Sequence, residues 1–351
     1  MIWEKEDAMF SRLYENLKTI IKENYKSIIT LALCYAVLMF PVPYYITTGG
    51  GTINIKNRVQ IEDQYESKGS LHLSYVSELR GNVATYLFSF FMPDWQRIDS
   101  SLYKVDEEES SESVDFRNRL ELQESIDSAV KVAFTRAKKE FHVKSEKIYI
   151  IYVSKENRKV LQVGDEILFV AGEKIENTDA LRKIIQEHDV GDRISFRIKR
   201  DGKEKEVFAK VYLEEGQKII GISAEKSYQY ETDPKIHMSF RRSESGPSGG
   251  MMLCLDIYNK LTKKDVTKGY KIVGTGTIAE DGSVGDIGGV TYKLMGAEGA
   301  KADIFLVPAG DNYKEAQKFA KKKNYKVKVI GVKNIEEVLE KLEALPGKEG
   351  K

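Results

Sequence analysis

The sequence predicts a mixed chain, α+β passing into α/β: one helix long enough to span a membrane, a strand-rich module, and a C-terminal domain of alternating strands and helices. Three observations predict it. Ser27–Thr47 is an apolar run without a charged side chain. Between residues 140 and 213, short period-two segments are separated by glycine-bearing turns. After residue 300, apolar runs of strand length alternate with segments of helix length. At roughly 150 residues per domain, 351 residues suggest two or three domains. A chain that is 41% hydrophobic and 31% charged is ordinary globular material, which excludes wholesale disorder and a polytopic membrane protein. Lys and Arg (55) nearly cancel Asp and Glu (54), so charge gives no reason to expect nucleic acid as a partner. The cysteines, Cys34 and Cys254, are too few for a disulfide framework or a cysteine-based zinc site.

Taken in order, residues 1–26 form a charged lead, expected to stay in the cytoplasm because Lys18, Lys22 and Lys26 precede the apolar run. Residues 27–47 are expected to be the transmembrane anchor: Ile28–Ile46 as a helix would measure about 28 Å, close to a hydrocarbon layer of about 30 Å. Pro41 and Pro43 would kink or end that helix, with Tyr44 and Tyr45 at the interface. This expectation makes the protein a single-pass cell-membrane protein with an extracellular catalytic region. In the mixed region 48–139, the alternation at 52–56 and 71–76 reads as strands. The six acids of Asp106–Asp115 read as a solvated loop without the glycine spacing of a calcium site. Leu122, Ile126, Ala129, Ala133 and Ala137 recur at helical steps over 118–139.

Within the module 140–213, Ile148–Val153 and Glu166–Val170 read as strands, and Thr178 as the cap of a helix over 179–187. Ile194, Phe196 and Ile198 alternate with polar residues, and Asp201-Gly202 offers a type I′ hairpin. The order strand, strand, helix, strand, strand, with VGDEILFVAGEKI leading into DALRKIIQEHDVGDRISFRIKRDGK, resembles a PDZ domain. The resemblance implies binding of a chain terminus as an added strand. A structural spacer is the plainer reading.

The chemistry concentrates in residues 214–345, ahead of a short tail 346–351. Strands are expected at 219–224 and 235–240, followed by Gly246-Pro247-Ser248-Gly249-Gly250 and an apolar helix. A serine at a helix start has backbone N–H groups and a favourable dipole beside it for a developing anion. The glycines also fit a simple tight turn. The pentapeptide matches G-x-S-x-G, but the α/β-hydrolase elbow needs its histidine after the serine, and His72, His142, His188 and His237 all precede Ser248. His237 lies closest, on an expected strand where a structural role is the simpler reading. Ser101 and Ser128 each start an S-x-x-K, but no K-T-G follows. Lys293 comes 45 residues after Ser248, behind a glycine-rich and charge-poor approach.

The segments GPSGG, TGTI and DGSVGDIGGVTYK resemble the proteolytic domain of Lon-family serine proteases. The resemblance implies Ser248 as nucleophile and Lys293 as base, with Thr275, 18 residues before Lys293, helping to hold the lysine and Gly249 supporting the site. Here Ser245, beside Glu244, occupies the place where Lon proteins commonly carry an acid. No G-x-x-x-x-G-K-[ST] occurs, so ATP-driven unfolding is not expected, and no cofactor or metal is required. With an anchor and a PDZ-like module, the chain looks like a membrane-anchored, PDZ-containing Lon-like protease. It is expected to be an ATP-independent serine endopeptidase cleaving secreted peptides or exposed segments of membrane or extracellular proteins. A base useful near neutrality requires desolvation to hold the lysine amine below its ordinary range. The alternative is an inactive, membrane-tethered PDZ-type binding or scaffold protein.

Overall fold

The computed structural model describes residues 2–241 and 243–348, so the end of the expected tail, 349–351, lies outside the described residues. The chain divides into two compact units, Met1–Thr48 with Glu78–Leu102, and Gly49–Ser77 with Tyr103–Lys351. The region 48–139 is therefore split between them.

In the first unit, helix α1 (Ile2–Met39) is followed by a strand, Pro41–Thr48, at the centre of a three-stranded sheet between Ser77–Asn82 and Gln96–Asp99. Helix α2 (Val83–Phe88) is closed by a reciprocal cap: the Asn82 side chain accepts from the Thr85 N–H, and the Thr85 hydroxyl accepts from the Asn82 N–H. This arrangement corrects the anchor. Proline cannot continue the helix, so α1 stops at Met39 and residues 41–48 go into the sheet, where Tyr44 lies opposite Asp99. The uncharged helical part is only Ser27–Met39, about 20 Å long against the roughly 30 Å required. Among the described residues no helix is long and apolar enough to cross a membrane. The single-pass anchor is not supported, neither as a fold element nor as the membrane attachment, and the cytoplasmic lead and extracellular remainder lose the segment on which they rested.

The second unit contains a five-stranded sheet ordered Thr52–Asn54, Ser70–Ser74, Lys271–Gly274, Ile304–Pro308, Lys328–Val332. The last four strands are parallel and the first is an antiparallel edge. Side chains of a strand alternate between faces, and the two cores follow that alternation. Leu71, Ile272, Ile304, Leu306 and Val332 join one core with helices α3 (Ser111–Ala137), α5 (Gly250–Leu261) and α8 (Ile335–Glu343). Val273, Phe305 and Val307 join the other with α6 (Val290–Gly299) and α7 (Asp311–Lys323). The result is a three-layer α/β/α domain.

A six-stranded sheet carries helix α4 (Thr178–Gln186) and its own core of Ile150, Leu161, Ile167, Leu181, Ile184, Phe196 and Ile198. Asn177, not Thr178, caps α4, accepting from the Ala180 N–H. Asp201 and Gly202 both take positive φ in the tight turn between Arg193–Arg200 and Lys203–Lys210. The module does not close at residue 213: Ile222–Asp233 pairs antiparallel with Glu140–Val153 along its whole length, from Val153–Ile222 to Glu140–Asp233.

The acidic stretch is not a free loop. Asp106 accepts from the Tyr152 hydroxyl at 2.9 Å and from Arg158, and Glu109, buried, pairs with Arg117. Ser110 caps α3 by accepting from the Ser113 N–H.

Candidate active site

Ser248 stands two residues before α5, a helix whose first turns are buried on all sides: Met251, Met252, Leu253, Cys254, Leu255 and Ile257 have no exposed surface. Such a helix must be surrounded, and glycines bring the surrounding chain close. A Cβ on Gly250 would lie 2.4 Å from the Ser125 hydroxyl oxygen of α3, and one on Gly274 would lie 2.4 Å from the Met252 sulfur. Burial pushes the Cys254 thiol up to about 12, so it is no nucleophile near neutrality.

The strand Lys271–Gly274 runs directly into Thr275, which is fully buried and continues the ladder through its N–H to the Leu306 carbonyl at 3.0 Å. The Thr275 hydroxyl donates to the Ser248 carbonyl oxygen at 3.1 Å, and the Gly276 N–H donates to the same oxygen at 2.8 Å. In return the Met251 N–H bonds the Gly276 carbonyl at 3.0 Å. Two of the predicted residues, Ser248 and Thr275, are thus in direct contact, although the hydroxyl of Thr275 meets the backbone of the serine. Gly249 starts α5 and packs against Leu73.

Lys293 lies on α6, which begins after Gly289 in the left-handed region, φ 66°. It is 4% exposed, in the same turn as the buried Leu294 and Ala297. Val290, Leu294 and Ala297 share a core with Val273, two residues before Thr275. Lys293 is therefore not a surface lysine.

His237 is exposed on the short strand Ile236–Met238, opposite Gln60. His72 is buried, with Nε2 3.0 Å from the Ser70 hydroxyl, and burial, then the charge of Lys271, lowers it to about 4. Among the described residues no group of three or more His, Cys, Asp or Glu side chains gathers as metal ligands.

Residues not singled out from the sequence hold the serine loop. The Ser125 hydroxyl donates to the Pro247 carbonyl at 2.8 Å, and the Gly246 N–H bonds the Asn118 carbonyl at 2.8 Å, both on α3. Arg58 donates to Glu244 at 2.6 Å, and Glu244 accepts from the Arg241 N–H at 2.8 Å. A signal for Ser125 existed: it precedes Ala129 and Ala133 at four-residue steps, a polar residue on the apolar stripe.

Comparison with known proteins gives the same direction. Residues 159–345 match the Lon protease (S16) C-terminal proteolytic domain. Among similar proteins, the Lon protease of Buchnera aphidicola subsp. Schizaphis graminum is 32% identical over 123 residues, 35% of this chain and 15% of that one. The Lon protease of Trichlorobacter lovleyi is 35% identical over 96 residues, 27% of this chain and 11% of that one. The chain therefore aligns with only 15% and 11% of the length of these relatives. Among solved structures, the PDZ domain of an SdrC-like protein from Listeria monocytogenes is 23% identical, covering 24% of this chain and 92% of its own, with a TM-score of 0.22. Since the matched region spans more than half of the chain and takes in Ser248, Thr275 and Lys293, this protein belongs to the Lon protease (S16) C-terminal proteolytic domain family, a family of serine peptidases.

Proposed function

We propose that the chain is a serine endopeptidase in which Ser248 is the nucleophile and Lys293 the base. Ser248 Oγ attacks the peptide carbonyl, and its proton passes to the Lys293 amine and then to the departing amine. Water hydrolyses the resulting acyl-enzyme with the lysine again as base. The observation that carries this reading is the junction of the two motifs: the backbone of Ser248 is bonded by Thr275 and Gly276, at the end of the strand whose core also holds the helix of the buried Lys293. Burial supports the role of Lys293, because removal from water favours a neutral amine able to accept a proton. Since no phosphate-binding loop of the Walker type occurs in these 351 residues, the substrates proposed are peptides and unstructured segments that need no unfolding by this chain.

The test is hydrolysis of an unstructured fluorogenic peptide by wild type, Ser248→Ala and Lys293→Met, with intact-mass detection of a serine-directed phosphonate. Both variants should lose turnover, and the phosphonate should add to wild type but not to Ser248→Ala. Turnover by Ser248→Ala would overturn the reading.

A further inference from the structure

The N–H groups of Gly250, Met251 and Met252, at the start of α5, are already bonded to the carbonyls of Pro247, Gly276 and Gly249. An oxyanion formed at Ser248 therefore depends on the two preceding N–H groups, those of Ser248 and Gly249. In a trans peptide the N–H points opposite to the carbonyl of the residue before it. The direction of the Ser248 N–H is thus set by whatever holds the Pro247 carbonyl, and that of the Gly249 N–H by whatever holds the Ser248 carbonyl. The second clamp is Thr275 with Gly276. The first is the Ser125 hydroxyl at 2.8 Å, assisted by the longer 3.2 Å bond from the Gly250 N–H.

Ser125 is placed at a cost to its own helix. It is 4% exposed in the middle of α3, where alanine is the better helix former, and Ala129 and Ala133 on the same stripe show that alanine fits there. A helical serine commonly bonds the carbonyl one turn back; this one donates to a segment 122 residues away. The bond matters because a Pro247–Ser248 plane turned over about ψ of Pro247 and φ of Ser248 would present a carbonyl where the donor should be, and the Ser125 hydroxyl opposes that rotation.

Building on the Ser248 reading, we propose that Ser125 is a positioning residue for the reaction: by holding the Pro247 carbonyl it aims the Ser248 N–H at the oxyanion.

The experiment compares the full chain with Ser125→Ala and Ser125→Cys, using an unstructured fluorogenic peptide, a peptide boronic acid that forms a tetrahedral adduct on serine, and the cleaved C-terminal (amine-side) product peptide as a ground-state ligand that places no carboxylate at Ser248. In Ser125→Ala, kcat should fall roughly ten-fold, less than the 10²–10³ typical of deleting a donor because the Gly250 N–H still holds the carbonyl. KM should stay within about two-fold. Boronate affinity should fall with kcat while product affinity is unchanged. Ser125→Cys, of similar volume and weaker donor strength, should lie between the two and serves in place of alanine if alanine unfolds the chain. Wild-type kcat and boronate affinity in both variants would overturn the proposal, as would equal losses for boronate and product. Ser248→Ala is run alongside: if it is inactive while Ser125→Ala is fully active, only the role of Ser125 fails. If Ser248→Ala is active, the dyad itself fails and this proposal with it.

Discussion

The Thr275 hydroxyl and the Ser248 carbonyl oxygen, 27 residues apart in sequence, are 3.1 Å apart in the fold. The contact ties the end of a central parallel strand to the loop before α5, so the strand that supports one motif also fixes the other. Removing the hydroxyl while keeping the shape tests it. Thr275→Val should lower kcat about five-fold, the rate equivalent of one hydrogen bond worth about 1 kcal/mol. Stability should change little, since the Gly276 N–H still satisfies the carbonyl. Thr275→Ser should retain activity. Steady-state kinetics with melting curves checks both, and unchanged kcat in Thr275→Val would count against the contact.

Lys293→Arg should not support turnover. A guanidinium stays protonated and has no acceptor for the serine proton. The measurement is kcat on the same peptide reporter for a variant shown to be folded by circular dichroism. Full activity in Lys293→Arg would sink the dyad and return attention to the exposed His237.

Stability should fall as pH rises toward 8. Burial, then the hydrogen bond and charge of Glu225, with Glu121 and Asp127 nearby, push the Glu124 carboxyl up from 4.5 to about 8. Between those values the folded chain holds a proton that the unfolded chain has released. The contribution is complete below about 4.5 and is lost as pH passes about 8. Solvent reaching the half-buried pair trims the size of the effect. Glu124→Gln should flatten the decline in Tm between pH 5 and 9; an unchanged slope would assign it to other groups.

Arg200 should be essential to the strand-rich module. Its Nε and Nη2 each donate at 2.7 Å to the two oxygens of Asp165, which is 1% exposed, and Nη2 also reaches the Val160 carbonyl. Lysine cannot reproduce that fork. Arg200→Met leaves the Asp165 carboxylate without its buried partner and should cost about 3 kcal/mol, with Arg200→Lys recovering part of the loss. Urea unfolding of the full chain is the measurement, and a Met variant as stable as wild type would contradict it.

Excision of 148–226 should leave a folded catalytic domain. Lys147 and Ser227 are register partners on adjacent strands, so a two-residue Asn-Gly turn can join them. The cut keeps Tyr228, whose N–H bonds Asp127 of α3 at 3.1 Å, and the Phe141–Tyr230 ring contact. Turnover of a short unstructured peptide should persist within about three-fold if the module is a separate folding unit. Complete loss, with the protein unfolded, would mean that the module supports the domain.

Much of the site was legible because it is written in local chemistry. The glycines of Gly246–Gly250 and Gly274–Gly276 mark close packing, and it occurs at Gly250 against Ser125 and Ile278 and at Gly274 against Met252 and Leu306. The apolar runs at 304–308 and 328–332 become parallel strands, the first of them fully buried, and Asp201-Gly202 specifies its own turn. The burial of Lys293 also follows from its neighbours, since Leu294 and Ala297 leave that face of α6 no solvent.

What the sequence alone determined was what each short stretch can do; which partner it takes was decided only by the tertiary structure. Hydropathy counts Pro41–Ile46 with the helix before it, but proline ends α1, and backbone groups that leave a helix need a sheet. Ile222–Asp233 reads as the start of the last domain, yet it pairs with Glu140–Val153 because that strand has an open edge. The acids of 106–109 look solvated until Tyr152, Arg158 and Arg117 are brought to them. Ser125 is one polar residue on an apolar stripe until folding sets the Pro247 carbonyl above it. Periodicity and turn chemistry act between neighbours in the chain, whereas pairing across a hundred residues depends on which faces and which unsatisfied groups remain when the local elements have formed.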